Sequence, residues 1–289
     1  MNCIAGIVTY NPDYERLEAN VKAITKQVKK VVIIDNASIS SEVTDKISFV
    51  YNTELIKNNK NMGMAYALNL IMKYAYDNGY EWVITLDQDS VCPENIIGEA
   101  ETLIDDKSLF HRSLESSKIA MIVPVICESA SGEICTLGSA VSSERYQEVK
   151  KCITSAAITN VGLWKKIRGF DSRLFIDYVD YDYAVRCIKA EYKIIRMNNV
   201  ILDHHIGKSE YRKFLWAKVR VANHTPVRKY YIARNIVIYM RRYKKDINVP
   251  AEILRLFKVF ALIVLYEDDK KEKLKFYFKG IKRGLNYKL

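Results

Sequence analysis

The predicted fold is decided by the stretch Trp82–Ser90, which reads Trp-Val-Ile-Thr-Leu-Asp-Gln-Asp-Ser. An apolar run that ends in two carboxylates one residue apart indicates a buried parallel strand, which delivers Asp87 and Asp89 to the carboxyl edge of a sheet. Open α/β folds bind their ligands at that edge. Because carboxylates are hard oxygen ligands, the pair suits a divalent cation that is itself bound to phosphates. The alternative is a strand followed by an ordinary acidic turn.

Two further strands with polar ends precede this stretch. Cys3–Thr9 is an apolar run followed by an Asn-Pro turn at Asn11, and Val31–Ile34 is a second run that ends in Asp35 and Asn36. Helical periodicity between them predicts a β-α-β unit of the nucleotide-binding kind. An acid at the second strand end can accept hydrogen bonds from a base or a ribose. Its alternative role is to cap the following turn.

The order of these elements predicts an α/β domain over residues 1–207, with a Rossmann-like, mostly parallel sheet. We expect Lys118–Ile126 to be an edge strand, because Pro124 cannot donate to a central ladder. The six cysteines contain no Cys-x-x-Cys pair, which favours a reduced cytosolic protein without structural zinc. No signal peptide is expected, and the longest apolar run, Val259–Leu265, is too short to span a bilayer.

Basic residues are concentrated after residue 207. Met1–Gly207 carries 23 Lys and Arg against 27 Asp and Glu, whereas the rest of the chain carries 22 against 7. The pattern of residues 208–289 predicts a basic α-helical appendage, with helices over Tyr211–Val221, Arg228–Tyr243 and Ala251–Tyr266 and a basic amphipathic end at Lys270–Leu289. Such a segment favours an anionic partner, in particular a membrane surface. The alternatives are a solvated face and packing on the rest of the chain or on a second subunit.

A second acidic patch lies between these regions. Asp177, Asp180 and Asp182 occur within six residues among aromatic and aliphatic side chains. Burial of this kind raises the pKa of a carboxylate and suits it to act as a general base, whereas the alternative is an acidic helix start. Downstream, His204 and His205 follow an apolar run, and since neighbours on a strand face opposite ways, at most one is expected to reach a metal.

Six motifs occur in one order along the chain: Thr9-Tyr-Asn-Pro12, Asp35-Asn36, Asp87-Gln-Asp89, Gly169-Phe-Asp171, Phe175-Ile-Asp-Tyr-Val-Asp180 and Arg228-Lys-Tyr-Tyr-Ile-Ala-Arg-Asn235. This combination resembles the family 2 inverting glycosyltransferases with the GT-A fold. It is most similar to bacterial rhamnosyltransferases of cell-wall, capsule and O-antigen polysaccharide synthesis. The first five motifs span about the first 207 residues, and their combination is far more specific than any one of them.

The resemblance implies a role for each motif. The nucleotide-binding residues would be Thr9, Asn11, Asp35, Asn36 and Asp87. Asp89 would hold Mn²⁺ or Mg²⁺ at the diphosphate, with His205, or its rival His204, as a further metal ligand. Asp180 would be the catalytic base. Since residues 179–182 read Val-Asp-Tyr-Asp instead of the commoner Glu-Asp-x-Asp, Asp177 and Asp182 remain rivals for that role. The residues expected to support the acceptor side are Ser155, Tyr178, Arg186 and Arg234.

The resemblance also implies substrates and a location. The best candidate reaction moves L-rhamnose from dTDP-rhamnose to a hydroxyl of a polyprenyl-diphosphate-linked glycan, and UDP-galactofuranose is the alternative donor. We expect a cytoplasmic enzyme that lies peripherally on the inner face of the plasma membrane. The expected partner is the anionic surface of that membrane. The alternative is a homo-oligomer that forms through the C-terminal helices. No nucleic acid is expected as a partner.

Two other classes of function fit parts of the sequence. Ile84–Ser90 also resembles the phosphatase signature of haloacid dehalogenase-like enzymes, in which Asp87 would be the nucleophile. That signature normally opens its domain, whereas here two strands precede it. A non-enzymatic polyanion-binding protein would explain the basic C-terminal region but would leave the acidic strand ends without a role.

Overall fold

The computed structural model describes residues 1–106, 118–128, 134–135, 140–204, 210–214 and 217–289. The chain divides into two compact units. The first unit contains Met1–Ser172 and Tyr183–His205, and the second contains Arg173–Asp182 and Ile206–Leu289. The segment that carries the second acidic patch is therefore grouped with the basic C-terminal region.

The strands of the first unit are β1 (Cys3–Thr9), β2 (Val31–Asp35), β3 (Glu54–Lys57), β4 (Trp82–Asp87), β5 (Ile119–Glu128), β6 (Ile134–Cys135), β7 (Tyr146–Glu148), β8 (Ala157–Asn160) and β9 (Lys193–His204). Its helices are α1 (Tyr14–Thr25), α2 (Glu42–Tyr51), α3 (Met64–Asp77), α4 (Ile96–Asp105) and α5 (Val161–Lys166). Helix α6 (Val179–Lys189) begins in the second unit and ends in the first. The second unit continues with β10 (Glu210–Phe214), β11 (Ala217–Val221), α7 (Pro226–Arg242), α8 (Val249–Leu265) and α9 (Lys270–Leu285).

The strands of the first unit form one mixed sheet in the order β3-β2-β1-β4-β8-β5-β9-β7, with β6 paired to β5. Strands β3, β2, β1 and β4 run parallel to one another, and β8 runs antiparallel to β4. Thr9 lies opposite Asp35, and Val8 lies opposite Asp87. Because parallel strands end at the same edge, the polar ends of β1, β2 and β4 meet as the sequence predicts.

The core of the first unit is formed by this sheet and the helices that cover it. Helix α1 buries Leu17, Val21 and Ile24, and α4 buries a similar stripe that includes Ile96. These side chains recur every three or four residues, which places them on one face of each helix. The strands that end at the carboxyl edge are therefore held in place by the apolar side chains packed against them.

Two predictions about secondary structure are wrong. Strand β5 lies between β8 and β9, so it is not an edge strand. Its register with β9 shifts between Pro124 and Val125, and such an irregularity tolerates a residue that cannot donate to the ladder. Tyr211–Val221 forms the antiparallel hairpin β10–β11 instead of a helix. The sequence Ala217-Lys-Val-Arg-Val221 alternates with the period of a strand, and the helical interpretation overlooked that signal.

The second unit contains a cluster of three long helices. Ala233, Ile263 and Tyr277, one from each helix, are its buried centre. Helix α9 packs closely on α7. The close approach is evident at Gly280, where an added Cβ atom would lie 2.4 Å from the Tyr230 carbonyl oxygen. None of the helices in the part of the chain described above has the length and apolar character that crossing a bilayer requires.

Candidate active site

The ends of β1 and β4 are joined by hydrogen bonds. The Tyr10 N–H donates to Gln88 Oε1 at 2.8 Å, and Gln88 Nε2 donates to the Tyr10 carbonyl oxygen at 3.4 Å. The fully buried Asn20 donates to the Asp87 carbonyl oxygen at 2.7 Å and accepts from the Cys92 N–H at 3.2 Å. The backbone on both sides of Asp87 and Asp89 is therefore fixed by buried or inter-strand contacts.

Ser155 holds the Asp87 side chain. The Ser155 side chain is buried, and its hydroxyl donates a short hydrogen bond to Asp87 Oδ2. Thr85 holds the backbone next to Ser155, because its hydroxyl donates to the Thr154 carbonyl oxygen at 2.7 Å. Ser155 was expected on the acceptor side, and the structure places it at the end of β4 beside the predicted nucleotide site.

Asp35 is 2% exposed and accepts hydrogen bonds from the turn that follows β2. Ser38 donates to Asp35 Oδ1 through its N–H at 3.0 Å and through its hydroxyl at 2.6 Å. The Ser38 hydroxyl also accepts from the Asn11 N–H at 2.8 Å. Asp35 therefore caps the turn that follows β2, which was its alternative role. Through Ser38, the same contacts connect Asp35 with Asn11 of the Thr9–Pro12 motif. Thr9, which is fully buried, donates from its hydroxyl to the Ile34 carbonyl oxygen at 3.4 Å.

Asn36 organises the loop between β3 and α3. Its side chain is buried, and Asn36 Oδ1 accepts from Asn58 Nδ2 and from the Met62 N–H, both at 3.0 Å. Asn36 Nδ2 donates to Asn61 Oδ1 at 3.0 Å. These partners of Asn36 were not predicted, although the density of asparagines in Asn58–Asn61 is a visible signal in the sequence.

The carboxylates at the end of β4 are oxygen ligands of the kind that a hard divalent cation prefers. Asp89 is half-buried, and it follows Asp87 at the carboxyl edge. Among the residues whose placement is described, no three His, Cys, Asp or Glu side chains form a group that could hold a metal ion by themselves. An ion here would take its remaining ligands from substrate, water or residues beyond that set. His205 lies outside the described residues, and of His204 only the backbone position at the end of β9 is described.

In the second unit, the segment before Asp180 has a strained backbone. Phe175, Asp177 and Tyr178 have φ values of 68°, 62° and 67°, which residues with a side chain rarely adopt. Each such residue costs about 1–3 kcal/mol and persists where surrounding contacts hold it. Non-glycine residues in this conformation cluster at functional sites, so the segment is a candidate for one.

Helix α7 supplies many of the contacts that hold this segment. The fully buried Asn235 donates from Nδ2 to the carbonyl oxygens of Leu174, Ile176 and Asp177 at 2.8–2.9 Å. Arg234 donates to the Leu174 carbonyl oxygen at 2.8 Å, and its guanidinium lies 4.7 Å from the Tyr231 ring centre. The observed contacts of Arg234 therefore support the backbone of the acidic segment.

The three candidate bases have different surroundings. Asp177 forms a two-pronged ion pair with Arg228, at 3.2 Å from Nε and 3.1 Å from Nη2. The carboxylate of Asp182 is 2% exposed and accepts from Arg242 at 2.9 Å. Asp180 is half-buried in the first turn of α6 and accepts from the Tyr181 N–H at 2.9 Å. Burial, and then the charge of Asp180, raise the pKa of the Tyr181 hydroxyl to about 12.

Tyr178 and Arg186 make well-defined contacts. The Tyr178 hydroxyl donates to Glu252 and accepts from Arg255 Nη1 at 3.1 Å. Burial raises the pKa of Tyr178 well above its ordinary value. Within the first unit, Arg186 Nη1 donates to the carbonyl oxygen of Ile167, the residue that caps α5, at 2.8 Å. Tyr178 is therefore bonded to side chains of α8, and Arg186 to the backbone at the end of α5.

The Gly169-Phe-Asp motif has a structural explanation. Gly169 has a φ of +64°, and a Cβ atom there would lie 2.7 Å from Asn69 Oδ1. Asn69 Oδ1 accepts from Trp164 Nε1 at 3.0 Å and from the Phe170 N–H at 2.9 Å. A side chain at residue 169 would break this arrangement, so the motif fixes the chain just before the acidic segment.

Comparisons with known proteins agree on the class of enzyme. Residues 5–108 match the model of Glycosyl transferase family 2. The chain is 27% identical to dTDP-rhamnosyl transferase RfbF of Shigella flexneri over 97% of this chain and 93% of that protein. Residues 1–349 of S. aureus TarS superpose with a TM-score of 0.60 at 13% identity, covering 98% of this chain and 81% of that one. Mannosyltransferase PcManGT from Pyrobaculum calidifontis, in complex with GDP-Man and Mn²⁺, gives 0.55 at 14% identity, covering 100% and 76%.

The fold is that of the GT-A glycosyltransferases. More particularly, this chain is a glycosyltransferase whose residues 5–108 match the family 2 model. The predicted fold class and enzyme class are thereby confirmed, and the match agrees with the resemblance found in the sequence. The match favours group transfer over both the dehalogenase-like phosphatase and the non-enzymatic polyanion-binding alternatives, because the strand that carries Asp87 lies inside the matched domain.

Proposed function

We propose that this chain is a metal-dependent inverting transferase that moves L-rhamnose from dTDP-rhamnose to a lipid-linked glycan of cell-surface polysaccharide synthesis. The observation that carries the proposal is the meeting of the polar ends of β1, β2 and β4 at one sheet edge, with Asp87 held by Ser155. The choice of donor is supported by the likeness to a dTDP-rhamnosyl transferase over nearly the whole chain.

In the proposed mechanism, the first unit binds the donor. Asn11, Asp35, Asn36 and Asp87 contact the nucleotide, and the fully buried Thr9 supports them from the end of β1. Asp89 would hold Mn²⁺ or Mg²⁺, with His205 or its rival His204 as a further ligand. The ion, when bound, supplies positive charge to the leaving diphosphate. The likeness to PcManGT, whose structure contains Mn²⁺ and GDP-Man, supports this assignment.

Asp180 is proposed as the base. It accepts the proton of the acceptor hydroxyl while that oxygen bonds to the anomeric carbon and the bond from this carbon to the diphosphate breaks. Attack from the face opposite the leaving group inverts the configuration. Asp180 is chosen because it is the last residue of the motif Phe175–Asp180 that carries the resemblance. Its rivals Asp177 and Asp182 form ion pairs with Arg228 and Arg242. Ser155, Tyr178, Arg186 and Arg234 act as supports rather than as acceptor ligands.

The donor and the metal are tested by one transfer assay. The purified enzyme, stripped of metal with EDTA, is offered dTDP-rhamnose, UDP-galactofuranose and UDP-GlcNAc with a synthetic polyprenyl-diphosphate glycan, with and without Mn²⁺ or Mg²⁺. We expect transfer from dTDP-rhamnose that returns when either ion is added. Preference for a uridine nucleotide would refute the rhamnose assignment, and full activity in EDTA would refute metal dependence.

A pair of variants separates metal binding from general loss of charge. Asp89→Asn is expected to weaken metal activation by at least tenfold, because a neutral amide replaces a carboxylate ligand. Asp77→Asn is the matched control, since Asp77 lies on the exposed surface of α3 in an ion pair with Lys73. Equal effects of both substitutions would contradict the role of Asp89.

We further propose that the enzyme lies on the inner face of the plasma membrane, where a polyprenyl-linked acceptor would be found. The excess of Lys and Arg after residue 207 supports an anionic membrane surface as partner. A homo-oligomer through the C-terminal helices is the competing arrangement.

A further inference from the structure

Helix α8 exposes a continuous apolar face. Its large exposed side chains are separated by one, three, seven and one residues along the chain. With about 3.6 residues per turn, these spacings place them on one side of the helix. They are Ile253 (43% exposed), Leu254 (70%), Phe257 (65%), Val264 (39%) and Leu265 (50%). A group of large apolar side chains exposed together marks an interaction surface, whereas single ones are ordinary.

A row of lysines on α9 lies beside this face. Phe278 is 53% exposed, and its ring centre lies 6.0 Å from that of Phe260 on α8. Lys271, Lys275 and Lys282 are exposed and lie seven residues before, three before and four after Phe278, so they share its side of the helix. The apolar face and the basic row therefore form one surface, which we name the α8–α9 face.

Helix α9 itself is fixed within the second unit. Tyr277 is 3% exposed, and its hydroxyl donates to the Leu256 carbonyl oxygen at 2.9 Å. A Cβ atom on Gly284 would lie 2.7 Å from the Arg234 carbonyl oxygen. Because this helix is held along its length, it contributes lysines and Phe278 to the surface, while the large apolar area belongs to α8.

We propose that the α8–α9 face docks on an anionic lipid surface, with Leu254 and Phe257 inserted among the acyl chains and the α9 lysines at the headgroups. A helix with this distribution of apolar and basic side chains suits the membrane interface. Charge decides between a bilayer and a second copy of the chain. Residues 208–289 carry 22 Lys and Arg against 7 Asp and Glu, so pairing two copies would bring like charges together, whereas anionic lipid neutralises them.

This inference deepens the proposed function, because a lipid-linked acceptor would be presented at the same surface. It does not need turnover to be tested. The full-length protein is floated with vesicles of phosphatidylcholine alone or with one-third phosphatidylglycerol, at low and high NaCl, and the bound fraction is measured. We expect binding to the anionic vesicles that weakens as salt screens the headgroup charge.

Three variants test the two parts of the surface. The double substitution Leu254→Ser and Phe257→Ser is expected to lower the vesicle partition coefficient at least tenfold. Replacing Lys271, Lys275 and Lys282 with Gln is expected to lower it about fivefold per lysine. The matched control is Phe49→Ser, because Phe49 on α2 of the first unit is 90% exposed but lies outside the proposed surface. All variants are first checked for an unchanged thermal unfolding midpoint.

Several outcomes would overturn the proposal. Folded Leu254/Phe257 variants that bind as the parent does would remove the apolar contact. An equal loss in Phe49→Ser would show a non-specific effect. A parent protein that ignores anionic vesicles but sediments as a dimer, and becomes monomeric on substitution of Leu254 and Phe257, would assign the surface to a second copy. Failure of rhamnose transfer with vesicle binding intact would refute only the proposed donor.

Discussion

The Asp182→Asn variant is expected to lose stability while keeping its transfer activity. The Asp182 side chain is 2% exposed and that of Arg242 is 12% exposed, with 2.9 Å between them. The Tyr243 hydroxyl donates to the same oxygen at 2.8 Å. Asparagine keeps the shape and one acceptor oxygen but removes the negative charge that pairs with Arg242. Removing one partner of a buried pair costs about 3–5 kcal/mol, and the retained acceptor favours the lower end.

The stability change is measured by thermal unfolding. A loss of about 3 kcal/mol corresponds to a midpoint lower by roughly 6–12 °C for a chain of this order of size. Asp177→Asn is the matched control, because its partner Arg228 has a 40% exposed side chain. A pair so accessible to solvent is worth at most about 1 kcal/mol, so the control should unfold within about 4 °C of the parent.

The kinetic half of the comparison uses Asp180→Asn. Loss of a general base lowers kcat by about a hundredfold to ten-thousandfold, whereas nucleotide binding, measured by calorimetry, should survive. Assayed well below its unfolding midpoint, Asp182→Asn should retain kcat within about threefold of the parent. An Asp182→Asn enzyme of normal stability and at least hundredfold lower kcat would refute the reasoning and move the base from Asp180 to Asp182.

Three other perturbations have definite expected outcomes. Ser155→Ala removes the hydroxyl that holds Asp87 and should raise the nucleotide Kd about three- to tenfold by calorimetry, as expected for one hydrogen bond; an unchanged Kd would contradict this. Gly280→Val should lower the stability to urea by at least about 1–3 kcal/mol, because its Cβ would meet the Tyr230 carbonyl oxygen. Burial, followed by nearby basic side chains, lowers the pKa of His224 to about 3. Since the unfolded histidine has a pKa near 6.5, the parent should lose about 2 kcal/mol between pH 7 and pH 5 that His224→Asn does not lose.

Much of the first unit could be predicted because its signals are local. The strand Trp82–Asp87 is apolar until its final carboxylate, and the stripe Leu17, Val21 and Ile24 has helical spacing. Position within the sheet is not local. Pro124 suggested an edge, yet β5 lies inside the sheet, since a register shift beside the proline accommodates its missing N–H. Nothing in the sequence around the proline reveals that shift.

The site was predictable in its residue types and less so in their partners. Asp35 was recognised at its strand end, and its capping alternative was visible from the adjacent turn residues. The partners of Asp182 lie about 60 residues downstream on and just after α7, and only the folded chain brings them together. The same holds for Asn235, which supports three carbonyl oxygens of the acidic segment.

Helix α8 connects two properties of the second unit that the sequence presents separately. On its buried side, Glu252 is 1% exposed and accepts from the hydroxyl of Tyr178, two residues before Asp180. On its other side, Leu254 and Phe257 face solvent. The backbone at Tyr178 is strained, with a φ of 67°, so its conformation depends on the contacts that hold it. The proposed lipid contact and the segment that carries the proposed base are therefore linked through the same helix.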